Sequence, residues 1–99
     1  MLKGYDIDGV LTNGILPTGN YVVISGRTIS EYDSVCADLA KHVPVYVRYS
    51  GIRGDRKHAG EFKSAIINML GVNEFFEDDV IQIEIIKKLC PDCVVHHIK

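Results

Sequence analysis

The sequence contains few of the features that mark specialised classes of protein. It has no tryptophan and only three cysteines, and no repeat or low-complexity tract interrupts its 99 residues. An odd cysteine count gives no disulfide framework, which agrees with a reducing compartment. The formal net charge of -2 lacks the positive excess of an electrostatic nucleic-acid-binding protein. No apolar run could span a membrane, and no basic and apolar leader opens the chain, so we expect a cytoplasmic protein.

The chain does contain enough apolar residues for one core. Its hydrophobic fraction is 46%, and its length lies near the usual size of a domain. We therefore expect a single domain over residues 1–99 that buries about 60 to 70% of the surface of the unfolded chain. Short β-rich runs alternate with helical segments, which is the pattern of an α/β fold.

Five strands and three helices are predicted from this alternation. The strands cover residues 2–7, 21–25, 43–49, 74–77 and 93–98. The helices cover residues 30–41, capped by Thr28 or Ser30, residues 60–70, ended by Gly71, and residues 80–89. The expected apolar positions of the first two helices are Val35, Leu39, His42, Phe62, Ile66, Ile67 and Leu70. Residues 22–24 and 45–47 are typical of strands buried on both faces, so the predicted fold is a Rossmann-like three-layer sandwich with a mostly parallel sheet.

The connection between the first two strands is unusually short. Residues 11–20 are rich in Gly, Asn, Thr and Pro and leave no room for a crossover helix with its turns. Two arrangements stay open. Either parallel neighbours are joined by loop alone, or a hairpin-like flap leaves the second strand displaced or partly antiparallel.

Two aspartates at the end of the first strand predict a functional site. Asp6 and Asp8 are two residues apart, so in a continuous strand they would share a face. Their charges would repel each other unless the strand ends between them or a cation lies there. Oxygen ligands with room for water and phosphate suit Mg²⁺. An aspartate beside such an ion can attack phosphorus as a nucleophile.

Further polar residues follow the other predicted strands. In a doubly wound sheet the carboxyl ends of the strands meet at one edge, and this edge holds the ligand site. Residues 25–27 follow the second strand, residues 77–79 follow the fourth, and Lys63 lies near the start of the second helix. Acids for Mg²⁺, a hydroxyl and an N–H for phosphate oxygens, and a lysine near the nucleophile all suit phosphoryl transfer.

These four segments resemble the motifs of the haloacid dehalogenase superfamily of aspartate-nucleophile phosphatases. Residues 6–10 match its first motif, and the resemblance extends from residue 2 to about residue 98. The superfamily fold and Mg²⁺ are implied with it. The implied catalytic residues are Asp6 as nucleophile, Asp8 as general acid and base, Ser25 and Lys63. The implied metal-site residues are Asp6, Asp8 through its backbone carbonyl, Asp78 and Asp79.

Within that superfamily, residues 22–27 and 54–57 are similar to the phosphatase domain of polynucleotide kinase-phosphatases. The resemblance implies a phosphorylated substrate, and a terminal 3′-phosphate of a nucleic acid is one such substrate. The substrate-binding residues it implies are Gly26, Arg27, Arg56 and Lys57. No P-loop is present, so no kinase activity is expected.

The chain lacks the cap domain of most superfamily members and the first crossover helix. An open site favours a substrate that covers the site itself, or closure by a second subunit in a homo-oligomer. Two alternatives to a nucleic-acid phosphatase therefore stay open. One is a small-molecule phosphatase or nucleotidase that an oligomer partner closes, and the other is an inactive domain that binds Mg²⁺ or phosphate. A receiver domain fits less well, because its phosphorylated aspartate follows a middle strand.

The two C-terminal cysteines and the nearby histidines suggest a metal site at first sight. Cys90 and Cys93 flank the start of the last predicted strand, whereas redox pairs of this spacing precede a helix. Alternation along that strand would place His96 and His97 on opposite faces. A tetrahedral zinc site is therefore not predicted here.

Overall fold

A computed structural model describes the whole chain, residues 1–99. It contains five strands and three α-helices: β1 Lys3–Tyr5, β2 Tyr21–Thr28, α1 Ser34–Ala40, β3 Val45–Arg48, α2 Arg56–Leu70, β4 Glu74–Glu77, α3 Val80–Leu89 and β5 Val94–His97. Short 3₁₀ turns occupy Leu11–Asn13 and Ile29–Glu31. No helix combines the length and hydropathy that a membrane crossing requires.

The five strands form one sheet in the order β3-β2-β1-β4-β5, and every neighbouring pair is parallel. The fold is therefore α/β with an all-parallel sheet, consistent with a small Rossmann-like sandwich. Gly4 of β1 lies between Val22 of β2 and Phe75 of β4. The strand order reverses at β1, which places the crevice of the sheet beside the carboxyl end of this strand.

The short connection from β1 to β2 joins parallel neighbours, so the partly antiparallel flap does not occur. The loop folds back on itself through backbone hydrogen bonds from Thr12 to Ile7 and from Ile15 to Val10. It also buries Val10 completely. A loop with a single 3₁₀ turn therefore replaces the usual crossover helix.

Helices cover both faces of the sheet, and the alternation along β2 sends side chains to both. On one face, α2 and α3 pack over a core that includes Val22, Ile24, Ile67, Phe75 and Ile86. On the other face, Cys36 of α1 packs with Ile7 and Val23. The predicted burial of residues 22–24 is confirmed. The predicted full burial of residues 45–47 is wrong, because β3 is an edge strand and these residues are only partly buried.

The first helix begins later than predicted, and its predicted cap is wrong. The Asp33 carboxylate accepts hydrogen bonds from the backbone N–H groups of Val35 and Cys36 and so caps α1. The carboxylate of Glu31 instead accepts bonds from the N–H and hydroxyl of Thr28, which closes a separate 3₁₀ turn. This shift turns Cys36 into the core and leaves Val35 exposed. His42, also predicted on the apolar side, is exposed.

The second helix begins four residues earlier than predicted. Asp55 caps it by accepting a hydrogen bond from the N–H of His58. The predicted end is confirmed, since Gly71 adopts the left-handed conformation with φ of 69°. Ile67 is fully buried, and the other three predicted apolar positions of this helix are partly buried. The bounds of β4 and α3 match the predicted ranges.

Candidate functional site

An open cleft of about 880 Å³ lies at the carboxyl ends of β1, β2 and β4, against the first turns of α2. Only two of the residues that line it are hydrophobic. Asp6, Asp8, Gly26, Lys63 and Asp78 all border the cleft. Residues from four separate predicted segments thus meet at the reversal point of the sheet, as expected for a ligand site in this class of fold.

The floor of the cleft is an inner cluster of Asp6, Lys63 and Glu77. The Lys63 Nζ lies 2.5 Å from the Glu77 Oε1 and 3.3 Å from the Asp6 Oδ1. The three residues are 5% (Asp6), 1% (Lys63) and 0% (Glu77) exposed. One buried ammonium group therefore lies between two buried carboxylates, and each charge depends on the others for its compensation.

In the inner cluster, burial and the neighbouring charges of opposite sign shift the pKa of each residue in opposite directions. Burial raises the pKa of Asp6 and raises the pKa of Glu77 to about 7, although the Lys63 ammonium lowers both. Burial alone would lower the pKa of Lys63, but the attraction of the Asp6 and Glu77 carboxylates outweighs it and raises that pKa. Lys63 therefore stays cationic and supplies the positive charge at the floor.

Asp78 adds a third carboxylate, nearer to solvent, to the two buried carboxylates of Asp6 and Glu77. Carboxylate oxygens of Asp6, Glu77 and Asp78 all lie within 4.8 Å of one another. Burial and the neighbouring Glu77 carboxylate raise the pKa of Asp78. Gly9 makes room for it, because a Cβ at Gly9 would lie 1.9 Å from the Asp78 Oδ2. Gly9 also has a φ of +80°, a backbone conformation that residues other than glycine rarely adopt.

The donor set fits Mg²⁺ through Asp6 and Asp78 rather than through all three acids. Both oxygens of Glu77 already accept hydrogen bonds, Oε1 from Lys63 and Oε2 from the N–H groups of Asp78 and Asp79. Glu77 therefore positions Lys63 and the start of α3. Two carboxylates at an open edge suit an ion that keeps several of its waters.

An outer rim of ion pairs surrounds the mouth of the cleft. Arg27 donates to both carboxylate oxygens of Asp8 at 2.9 Å and lies 2.8 Å from an oxygen of Asp33. The hydrogen bonds from Arg27 lower the pKa of Asp8. Asp8 is thus held ionised in a bidentate pair, although it is exposed.

The remaining ion pairs of the outer rim are looser. Arg53 lies 3.5 Å from Glu31, and its side chain is 87% exposed. Arg56, in the first turn of α2, lies 3.8 Å from Asp79. Asp79 also caps α3 by accepting a hydrogen bond from the N–H of Gln82. The outer rim therefore contains cations that a bound anion can recruit at little cost.

Two of the predicted site residues lie outside the wall of the cleft. Ser25 is fully buried, and its hydroxyl accepts a hydrogen bond from the Arg27 N–H at 3.1 Å. Lys57 lies beside a separate small pocket with Ile85 and Lys88. The other predicted residues border the cleft. The predicted end of the second strand at residue 25 is wrong, because β2 continues to Thr28 with an irregular register between Ile24 and Thr28. Ser25 thus stabilises the irregular part of β2 that carries Arg27.

Glu77 and Arg48 are two residues of the site to which the sequence assigned no role, whereas the partner of Glu77, Lys63, was predicted. Glu77 shares a sheet face with the buried Phe75, and Lys63 lies one helical turn before the buried Ile67. Two opposite charges at core positions signal a buried pair. Arg48 ends β3 and is 2% exposed, although nothing in its sequence context distinguishes it from a solvated arginine.

Comparison with protein-family models, with curated protein sequences and with solved structures finds no match to this chain. Its function is therefore inferred from the cleft itself.

Proposed function

We propose that this chain is a Mg²⁺-dependent phosphatase of the haloacid dehalogenase superfamily that works through an aspartyl-phosphate intermediate. The observation that supports this most is the inner cluster. A buried lysine lies against Asp6 at the reversal point of the sheet, and Asp8 follows two residues later at the cleft mouth. A nucleophile, a second carboxylate and a fixed cation are the three groups that this chemistry requires.

In the first step, a carboxylate oxygen of Asp6 attacks the phosphorus in line with the leaving oxygen. The new bond joins Asp6 to phosphorus while the bond from phosphorus to the substrate oxygen breaks. The substrate phosphate displaces the Asp8 carboxylate from Arg27, Asp8 then takes up a proton from solvent, and it donates this proton to the leaving oxygen, which departs as an alcohol. The Lys63 ammonium offsets the negative charge of the phosphoryl oxygens.

In the second step, water attacks the phosphorus of the aspartyl-phosphate and Asp8 accepts the proton of that water. The bond from phosphorus to Asp6 breaks, which restores the Asp6 carboxylate and releases phosphate. Arg27 governs Asp8 in both steps, because it holds the carboxylate ionised in the free chain. A substrate phosphate competes for Arg27 and releases Asp8 for proton transfer.

Asp6, Asp78 and the backbone carbonyl of Asp8 are the groups proposed to hold Mg²⁺. The bound ion supplies charge neutralisation at the transferring phosphoryl group. Glu77 keeps Lys63 directed toward Asp6, and Asp79 fixes the helix that follows Asp78. The Gly26 N–H and Arg56 lie at the same cleft, where they support the phosphate of the substrate.

We propose a terminal phosphate of a nucleic acid as the substrate. The cleft is open and no cap covers it, so a long substrate excludes water from the site better than a small one. Arginines around the mouth suit the neighbouring phosphates of such a chain.

Phosphate release from a substrate panel tests the proposal. The panel contains p-nitrophenyl phosphate, nucleoside monophosphates and 3′- and 5′-phosphorylated oligonucleotides, each with Mg²⁺ and with EDTA. We expect Mg²⁺-dependent release that is fastest for the 3′-phosphorylated end. Preference for nucleoside monophosphates would favour a nucleotidase, and no release from any substrate would favour an inactive binding domain.

A further inference from the structure

Arg48 is the one cation at the cleft without a carboxylate partner. Arg27, Arg53, Arg56 and Lys63 each form at least one ion pair. Arg48 forms none, yet it borders the cleft and is 2% exposed. Hydrogen bonds from Thr28 and, to a smaller extent, the charge of Arg48 lower the pKa of the nearby Glu31 carboxyl group, although Arg48 and Glu31 form no ion pair. A charge withdrawn from water without a carboxylate in direct contact is costly, so such a site is prepared for an anion from outside.

Three uncharged groups fix the position of this guanidinium. Its Nε donates to the Gly26 carbonyl at 2.6 Å, and its Nη2 donates to the Ile52 carbonyl at 3.3 Å. Its Nη1 lies 2.9 Å from the His58 Nδ1, which must accept because a guanidinium only donates. Three of the five N–H groups are thereby used, and two remain for a ligand.

The backbone around Arg48 is shaped to its side chain. A Cβ at Gly51 would lie 2.9 Å from the Arg48 Nη1 and 3.0 Å from the His58 Nδ1. Gly51 also has φ of +141°. The loop thus encloses the guanidinium closely, and this packing holds the two free N–H groups in place without any ordering of a flexible side chain on binding.

We propose that Arg48 binds a second phosphate group of the substrate, next to the phosphate that Asp6 attacks. The inference rests on the proposed function for the position of the first phosphate. Gly26 connects the two subsites, because its carbonyl accepts from Arg48 and a Cβ on it would lie 3.9 Å from the Lys63 Nζ. One N–H of Nη1 and one of Nη2 remain on this guanidinium, and N–H groups of this kind match the oxygens of a phosphate. The preferred ligand therefore carries two phosphates one nucleoside apart.

Calorimetric binding in EDTA, where Mg²⁺-dependent turnover does not interfere, tests this subsite. The probes are thymidine 3′-monophosphate, thymidine 3′,5′-bisphosphate and a 3′-phosphorylated thymidine dinucleotide. We expect the bisphosphate and the dinucleotide to bind at least about tenfold more tightly than the monophosphate, since hydrogen bonds between charged groups are worth that much or more. Equal affinity for all three probes would overturn the subsite.

Arg48→Gln is expected to remove this preference while the affinity for the monophosphate changes little. Lys41→Gln serves as the matched control, because it deletes an exposed cation outside the cleft. If Arg48 only supports the loop, Arg48→Gln weakens all three probes by the same factor, and this result would refute the proposal.

The wild-type chain provides a second readout that does not depend on a variant folding. The Nε–H of Arg48 is hydrogen-bonded and buried, so its NMR signal is observable. We expect the bisphosphate to shift this signal and the monophosphate to leave it in place. Bisphosphate binding without a shift would overturn the proposal. Because binding is measured without turnover, a chain that releases no phosphate can still confirm or refute the subsite.

Discussion

The inner cluster and the outer rim use the same kinds of charge in opposite ways. In the inner cluster, Lys63 lies between two carboxylates that water hardly reaches. In the outer rim, Arg53 pairs with Glu31 while its side chain remains 87% exposed. Buried charges lose solvation that only their partners replace, whereas exposed charges keep most of theirs.

This difference separates residues that fix the geometry of the site from residues that a ligand can move. The inner cluster holds Asp6 in place before any substrate arrives, which is the preorganisation that electrostatic catalysis requires. The Arg53–Glu31 and Arg56–Asp79 pairs of the outer rim are long and exposed on the arginine side, so these arginines can leave their carboxylates for a bound anion more easily than Arg27 can leave Asp8. Arg48 shares a property with each region, because it is buried like Lys63 but has no carboxylate within ion-pair distance.

The largest expected effect is that of Lys63→Met on stability. The substitution leaves the Asp6 and Glu77 carboxylates buried together without a cation, which lowers the free energy of unfolding by about 3 to 5 kcal/mol. Denaturant unfolding measures this loss. Lys41→Met removes an exposed lysine that pairs with Asp38 and should change stability by less than about 1 kcal/mol. Similar losses in both variants would contradict the distinction between the regions.

Gly9→Ala tests the boundary between the two regions, where Asp78 lies. Gly9 and Gly14 both have left-handed φ angles, +80° and +89°, but only a Cβ at Gly9 would strike Asp78. We expect Gly9→Ala to cost about 1 to 3 kcal/mol and to weaken Mg²⁺ binding. Gly14→Ala should cost about 1 kcal/mol through its backbone alone and leave Mg²⁺ binding unchanged. Calorimetry with Mg²⁺ and denaturant unfolding compare them, and equal effects on Mg²⁺ binding would be inconsistent with the proposed role of Asp78.

The pH dependence of stability offers a third comparison. Burial raises the pKa of Glu77 to about 7 in the folded chain, so the folded state binds more protons than the unfolded state between about pH 4.5 and 7. The contribution of the Glu77 carboxyl group to stability is therefore complete below pH 4.5 and is lost as the pH rises through 7. We expect unfolding free energies measured in EDTA to fall between pH 5 and 7.5, by less than about 1.4 kcal/mol per pH unit for this one proton. Glu77→Gln should flatten the profile of unfolding free energy against pH. An unchanged slope in this variant would show that Glu77 does not cause the fall in stability.

The smallest effect is expected in the outer rim. Arg53→Gln removes an exposed partner of Glu31 and should change the unfolding free energy by no more than about 0.5 kcal/mol. The same denaturant titrations measure it. A loss comparable to that of Lys63→Met would show that exposure does not separate the two regions.

The sequence predicted most of the fold because several local signals were unambiguous. Gly71 marked the end of α2, and the apolar runs marked the strands. The start of α1 was misplaced because Thr28, Ser30 and Asp33 are all good capping residues within one short stretch. Only tertiary packing chooses among them, since burial of Cys36 sets the rotation of the helix.

The site was predictable where its residues follow strands and was missed where partners lie far apart in sequence. Asp6, Asp8 and Asp78 end strands, so topology alone brings them to one edge. The pairing of Lys63 with Glu77 joins residues 14 positions apart. Arg48 gave no local signal at all, because its buried position arises from Gly26 and the loop at Gly51, which contact it only in the folded chain.

The most direct test of the central claim is to detect the phosphorylated enzyme itself. The chain is mixed with p-nitrophenyl phosphate and Mg²⁺, quenched in acid within the first turnover, and digested for mass spectrometry. We expect a phosphoryl group on Asp6 that is absent in EDTA and in Asp6→Asn, whereas Asp38→Asn, an exposed control outside the cleft, is phosphorylated like the wild type. Phosphate release without any phosphoryl group on Asp6, or with the group on another residue, would contradict the assignment of Asp6 as the nucleophile.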